Sequence, residues 1–120
     1  FTLIELLIVV LIIGILAAIA IPKFQNTKGK ANAAALRSDL RNLASAQEAY
    51  FYEKSVYAPD LSFLKIQTSP GVVLTIVTAT AAGWSAKVTH PQSFPLTCAM
   101  YTGKVAAPAP ATAEGLVSCQ

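Results

Sequence analysis

The sequence predicts an α+β roll: a long N-terminal α-helix, its hydrophobic half protruding, packed on a small antiparallel sheet of three to four strands. Three observations carry that expectation. From Thr2 to Lys54 the pattern is first apolar, with Glu5 its one charge as far as Ile21, and then amphipathic. After Ser69-Pro70-Gly71 it changes to β-branched runs bounded by turn residues. Two cysteines, Cys98 and Cys119, fall in the second half, where a bridge would close a C-terminal disulfide loop. The 120 residues leave room for one small core beside the N-terminal segment. The hydrophobic content of 54% is unevenly placed, so it averages two different materials.

The first element is a run from Phe1 to Ile21 whose one charged side chain is Glu5. At ~1.5 Å per residue it can cross a hydrocarbon core of ~30 Å. It is expected to be helical, because a spanning segment must satisfy its backbone polar groups internally. A carboxylate at that depth costs several kcal/mol unless it is neutralised, which makes Glu5 a functional candidate. The nearest partner in sequence is the α-amino group of Phe1. A signal peptide or simple anchor is the weaker expectation, since no basic region precedes Glu5 and the apolar run is long.

FTLIELLIVVLIIGILAAIAIP, with its FTLIE start, Gly14 and Pro22, resembles the processed N-terminus of a type IV pilin. The resemblance is specific over about the first 25 residues and only architectural beyond the helix that follows. It implies that a prepilin peptidase cuts before Phe1 and methylates the new amine, a processing that a start at Phe1 fits. It further implies a homopolymer: a helical filament on the bacterial surface, drawn from an inner-membrane pool by a pilus assembly machinery. Phe1, Thr2 and Glu5 would serve assembly, with Glu5 of an incoming subunit facing Phe1 of its neighbour. The stretch from Gly14 to Pro22 would unwind as the subunit leaves the membrane. Local chemistry agrees: Gly lowers helix stability by about 1 kcal/mol relative to Ala, and Pro22 cannot donate to the carbonyl of Ala18. The resemblance also admits a minor pilin or a type II secretion pseudopilin. Major pseudopilins tend to carry an acidic calcium loop near the C-terminus, whereas the last third of this chain has only Glu114. A membrane-anchored periplasmic binding module is the alternative of another class. Motility, adhesion and DNA uptake are the tasks such filaments serve.

The expected division is residues 1–24 as transmembrane or filament-core helix, 25–54 as its amphipathic continuation and 55–120 as a globular head. Over 25–54, Leu36, Leu40, Leu43, Ala44, Gln47, Tyr50 and Phe51 recur at three- and four-residue spacings, which puts them on one buried face. Arg37, Asp39, Arg41, Glu48 and Glu53 are expected on the other faces or at its borders. Gly29 warns of a bend or short break. Ala58 precedes Pro59 and is biased away from α, so the helix is expected to end before Val56.

Residues 59–70 read as a connection with one apolar cluster, Leu61, Phe63, Leu64 and Ile66. Val72 to Thr78 reads as a strand, Ala79 to Gly83 as a turn, and Trp84 to Thr89 as a second, alternating, half-buried strand. A loop from Pro91 to Pro95 leads to a third strand, Thr97 to Thr102, and residues 116–118 are placed at an edge. An even cysteine count in a chain delivered beyond the cytoplasm suggests that Cys98 and Cys119 pair; a zinc site or thiol nucleophile is weakly supported, with no CxxC and one histidine. The Pro-Ala segment 105–114 is expected to be a surface loop with little core potential, with Thr112 as a glycan candidate.

No catalytic motif, phosphate loop, metal-ligand spacing or cofactor signature stands in the chain. His90 before Pro91 reads as a solvated turn residue. The net charge is +3, and six of nine Lys and Arg residues lie between Lys23 and Lys54. Lys28, Lys30, Arg37 and Arg41 suggest nucleic acid only weakly, because charges along a helix usually form a solvated or partner-facing surface. The aromatic residues Phe1, Phe24, Tyr50, Phe51, Tyr52 and Tyr57 are assigned to core packing rather than to electron conduction.

Overall fold

A computed structural model of the chain describes residues 1–93 and 97–120. Helix α1 runs unbroken from Leu3 to Lys54, 52 residues that account for the 77 Å length of the molecule at ~1.5 Å per residue. It passes through Gly29 without a break, and Gly29 is buried. The helix stops where Ser55 turns to φ 58°, its N–H reaching the carbonyl of Phe51 at 2.7 Å. A short 3₁₀ turn at Leu61–Phe63 follows, its start capped by Asp60.

Four strands, β1 Val73–Ala79, β2 Gly83–Thr89, β3 Thr97–Gly103 and β4 Ser118–Cys119, form one antiparallel sheet in the order β1-β2-β3-β4. The register puts Trp84 between Ala79 and Thr102, Ala86 between Ile76 and Met100, and Val88 between Leu74 and Cys98. Alternate residues share a face, so these positions line one side of the sheet. Leu74, Trp84, Ala86, Val88, Cys98 and Met100 from that side join Leu36, Leu40 and Leu43 of α1 in a single core.

The structure shifts several sequence expectations. β1 begins at Val73 rather than Val72, because the Val72 N–H is held by the Ser69 carbonyl in the turn at Pro70-Gly71. β2 starts one residue early, at Gly83, where it crosses Gly103: a Cβ on either glycine would collide with backbone of the other strand or its neighbour. β2 is also buried on both faces rather than one, with Trp84, Ser85, Ala86 and Val88 all enclosed. It is a central strand, and on its outer face the small Ser85 sits between the larger Thr78 and Tyr101. β4 is Ser118–Cys119, leaving Leu116 exposed. Of the expected Pro91–Pro95 connection, Phe94 and Pro95 lie outside the described residues.

Cys98 and Cys119 face each other across β3 and β4 and are joined by a disulfide spanning 21 residues of sequence. In the chain-entropy model, closing such a loop contributes on the order of 3 kcal/mol. The Pro-Ala segment inside the bridge contributes more to the core than its composition suggests, since Pro108 and Ala111 are buried. It is held down by the Glu114 carboxylate, which accepts the Gly103 N–H at 2.7 Å, and by the Gly115 N–H bonded to the Tyr101 carbonyl.

Three polar side chains are buried, Gln47 on the face its spacing predicts and Asp39 and His90 against expectation. Asp39, expected at the border of the helix face, is 4% exposed and accepts both the N–H and the hydroxyl of Ser69, at 2.9 and 3.1 Å. His90 is buried rather than solvated; its Nδ1 accepts the Gln92 N–H at 3.0 Å, and its Nε2 edge lies against Gly71. Gln47 is fully enclosed and pairs twice with the backbone of Ala58, accepting its N–H at 2.8 Å and donating to its carbonyl at 3.0 Å. Replacing Gln47 with Leu keeps an apolar helix face but leaves two buried backbone groups unpaired. The expected loss is about 2–4 kcal/mol of head stability, read as an earlier urea midpoint of the full chain in detergent. An unchanged midpoint contradicts this account of the site.

The aromatic residues divide. Phe51 stacks on Tyr57 with centroids 4.6 Å apart, and Tyr50 meets Phe63 edge-on at 6.4 Å. Burial, then the Glu48 carboxylate that accepts its hydroxyl, push the Tyr57 phenol above its usual range. Phe1, Phe24 and Tyr52 depart from the expected core role: Phe1 precedes α1, and Phe24 and Tyr52 project from it into the open, so all three are exposed.

Candidate functional site

From Phe1 through Lys28 every residue is exposed. This part of α1 has the length and composition to cross a membrane, with none of its apolar window buried inside the molecule. Leu6 to Pro22 carries no charged side chain. An apolar surface of this size, continuous around a helix, is stable only against hydrocarbon or other apolar helices. The first buried position, Gly29, stands ~36 Å along the helix from Glu5.

The polar chemistry of this half is gathered at its tip. Thr2 is the N-cap, in extended conformation with φ −91° and ψ 163°. Its hydroxyl accepts the Glu5 N–H at 3.2 Å, and the Glu5 carboxylate accepts the Thr2 N–H through Oε2 at 2.7 Å. Two otherwise orphaned N–H groups are thereby satisfied in a reciprocal capping box. The carboxylate also lies at the positive end of the helix dipole, a placement typically worth 0.3–1 kcal/mol at an exposed site (about this range). Among the described residues Glu5 Oε1 accepts no hydrogen bond from the chain, so the carboxylate retains a face for a cation. The Thr-Leu-Ile-Glu spacing is itself a capping-box signature, a signal that reading Glu5 as an isolated charge passes over.

The structure thus brings Phe1, Thr2 and Glu5 together at one helix end. Gly14 lies in mid-apolar helix, with open space where a Cβ would project, and Pro22 stands inside the continuous helix near the end of the apolar run. Cys98 and Cys119 are in the head, remote from the tip. Among the described residues no group of three or more His, Cys, Asp or Glu is placed to hold a metal ion.

A long helix whose apolar half is bare, whose polar half packs on a disulfide-bridged sheet, and whose one apolar-segment charge sits at the tip defines a class: a helix-anchored head built to keep that helix in an apolar setting. Comparison with known proteins names the relatives. The chain is similar to the type IV major pilin protein PilA of Myxococcus xanthus, 50% identical over 58 residues, which are 48% of this chain and 26% of the relative. It is similar to the fimbrial protein EcpC of Eikenella corrodens, 38% identical over 94 residues, 74% of this chain and 59% of the relative. It is also similar to the type IV wide pilus major component PilA4 of Thermus thermophilus, 38% identical over 85 residues, 68% of this chain and 65% of the relative. The chain therefore spans from about a quarter to just under two thirds of the length of these curated relatives. No protein-family model matches it. The resemblance to type IV pilins read from the first residues is shared by several curated pilins and fimbrial proteins.

Proposed function

We propose that the chain is a structural subunit of a type IV pilus, a major pilin that polymerises through its N-terminal helix. The observation that carries this reading is the bare apolar half of α1 with a lone carboxylate at its tip. The similarity to named major pilins supports it. Moving such a helix from a bilayer into a bundle of like helices keeps it in an apolar setting, so burial alone discriminates weakly between the two. A charge pair does discriminate: Glu5 of an incoming subunit neutralises the amine of Phe1 on its neighbour and sets the axial register. In this reading residues 1–24 form the membrane span and then the filament core, 25–54 continue the helix under the head, and 55–120 face outward. A prepilin peptidase and its methylation of Phe1 supply the mature terminus, the inner membrane holds the unassembled pool, and the filament stands on the cell surface. The role is structural, and no reaction is assigned to the chain.

Electron microscopy and mass spectrometry of sheared surface material test the proposal. The expected result is long filaments in which this chain dominates and begins with a methylated Phe1. A chain that stays wholly in the membrane fraction, or contributes only a trace to the filaments, overturns the major-pilin reading.

A further inference from the structure

Gln92 lies on an exposed turn, yet both polar groups of its backbone are held by side chains. Its N–H donates to Nδ1 of the buried His90 at 3.0 Å, and its carbonyl accepts Nδ2 of Asn32, sixty residues earlier on α1, at 3.1 Å. His90 in turn lies against Gly71. The turn is thereby fixed against α1, and the Gln92 side chain lines a recess of about 300 Å³ together with Gln25 and Lys28. Gln25, Lys28 and Asn32 follow one another at three and four residues, so they share one face of the helix. Among the described residues the side chains of Gln25, Lys28 and Gln92 bond to nothing else in the chain, and Lys28 meets no carboxylate. The recess thus offers one ammonium and two carboxamides, in a space at the small end of ligand sites.

We propose that this recess binds the phosphodiester of an anionic phospholipid headgroup and so clamps the base of the head to the membrane surface. The inference rests on the membrane-held pool proposed above and not on the filament. Position selects the ligand. Counted from Ile21, where the apolar run ends, Gln25 stands ~6 Å and Lys28 ~10 Å farther along the helix, and headgroup layers of ~5–8 Å flank a hydrocarbon core of ~30 Å. Side chains on a helix lean toward its N-terminus, here toward the bilayer, so the Lys28 ammonium reaches back into the headgroup layer. The chemistry agrees with the position. The ammonium neutralises the phosphate, the amide N–H groups donate to its oxygens, and the amide carbonyls are left to accept headgroup hydroxyls. A single cation suits one phosphodiester rather than a polyanion, which draws its affinity from many cations. The two restraints on the Gln92 backbone then hold an amide over the lipid.

The full chain in dodecyl maltoside micelles is titrated with dioctanoyl-phosphatidylglycerol, and the side-chain amide NMR signals of Gln25 and Gln92 report binding. Both signals are expected to move and saturate, while dioctanoyl-phosphatidylcholine, whose choline cancels the phosphate charge, should bind about fivefold more weakly or worse. Lys28→Gln removes a charge-assisted hydrogen bond and Gln92→Glu sets a carboxylate against the phosphate, so each should weaken binding about tenfold or more, read at Gln25. Lys30→Gln removes the same charge two residues on, from another face of the helix, and should cost about threefold at most. Asn32→Ala removes no charge but frees the turn, and a loss of about threefold or more is expected. Lys28, Lys30 and Gln92 are exposed and Asn32 is half-buried, so the head should fold in every variant, which its backbone NMR signals verify. Equal losses from Lys28→Gln and Lys30→Gln, with Asn32→Ala unchanged, reduce the recess to a diffuse basic flank and overturn the inference. A titration that does not saturate overturns it as well. So does inorganic phosphate that displaces the lipid at equal concentration, which assigns the recess to a free anion. Each of these results leaves the pilin reading standing, whereas a chain that stays out of phosphatidylglycerol–phosphatidylcholine bilayers on reconstitution removes the membrane pool itself and the inference with it.

Discussion

Glu5→Ala is expected to leave a folded, membrane-inserted subunit that does not enter filaments. The head is indifferent to the change, because the first buried residue of α1 stands ~36 Å away along the helix and the core is built from Leu36 onward. The tip is not indifferent. Alanine removes the carboxylate that holds the Thr2 N–H and, with it, the only negative side chain in the apolar segment. Losing a cap alone typically costs about 0.5–2 kcal/mol, which an otherwise long and stable helix tolerates. Losing a charge pair in an apolar bundle leaves the partner amine buried and unpaired, a penalty of about 3–5 kcal/mol at each subunit contact. Glu5→Gln separates the two effects, since glutamine can complete the capping box but carries no charge. If charge is what assembly uses, both variants accumulate in the membrane fraction and neither yields filaments by electron microscopy. Filaments from Glu5→Gln but not from Glu5→Ala would assign the residue to capping, and abundant filaments from both would end the charge-pair account.

The elements that depend on periodicity were legible in the residues alone. Three- and four-residue spacing from Leu36 to Gln47 identifies the helix face that enters the core, and β-branched runs after Gly71 locate the hairpin within one residue of its ends. The two cysteines stand as register partners of the last strand pair. What the sequence conceals is set by contacts distant in the chain. Asp39 is buried because Ser69, thirty residues on, presents an N–H and a hydroxyl to it. His90 is buried because its ring packs on the turn at Gly71 while its Nδ1 holds the next turn. Nothing local distinguishes either residue from a solvated one. Gln47 stands between these cases: spacing puts it on the buried face, but its partner, the backbone of Ala58, emerges only when the chain doubles back after Ser55. Phe24 and Tyr52 fail in the other direction, since aromatic character suggests a core to which their helix faces are not turned.

The second large effect is expected between Gly14 and Pro22. In the single chain α1 is continuous there. In a bilayer it must remain so, because each unpaired backbone group in hydrocarbon costs several kcal/mol. Within a filament the same segment is proposed to be at least partly extended. Its helical stability is already reduced at both ends: Pro22 removes the bond to the Ala18 carbonyl, Gly14 lowers propensity by about 1 kcal/mol, and proline in a helix interior disfavours it by about 3 kcal/mol. Each residue that changes from ~1.5 Å to ~3.3 Å of rise lengthens the subunit by roughly 2 Å, so a few residues give the filament appreciable slack under load without disturbing the tip. Pro22→Ala restores the missing donor and is expected to shift the segment toward helix, giving filaments that extend less before breaking in force measurements. A filament map with unbroken α-helix from Leu3 through Phe24 in the parent chain would rule the proposal out, as would a Pro22→Ala filament whose extensibility matches the parent's.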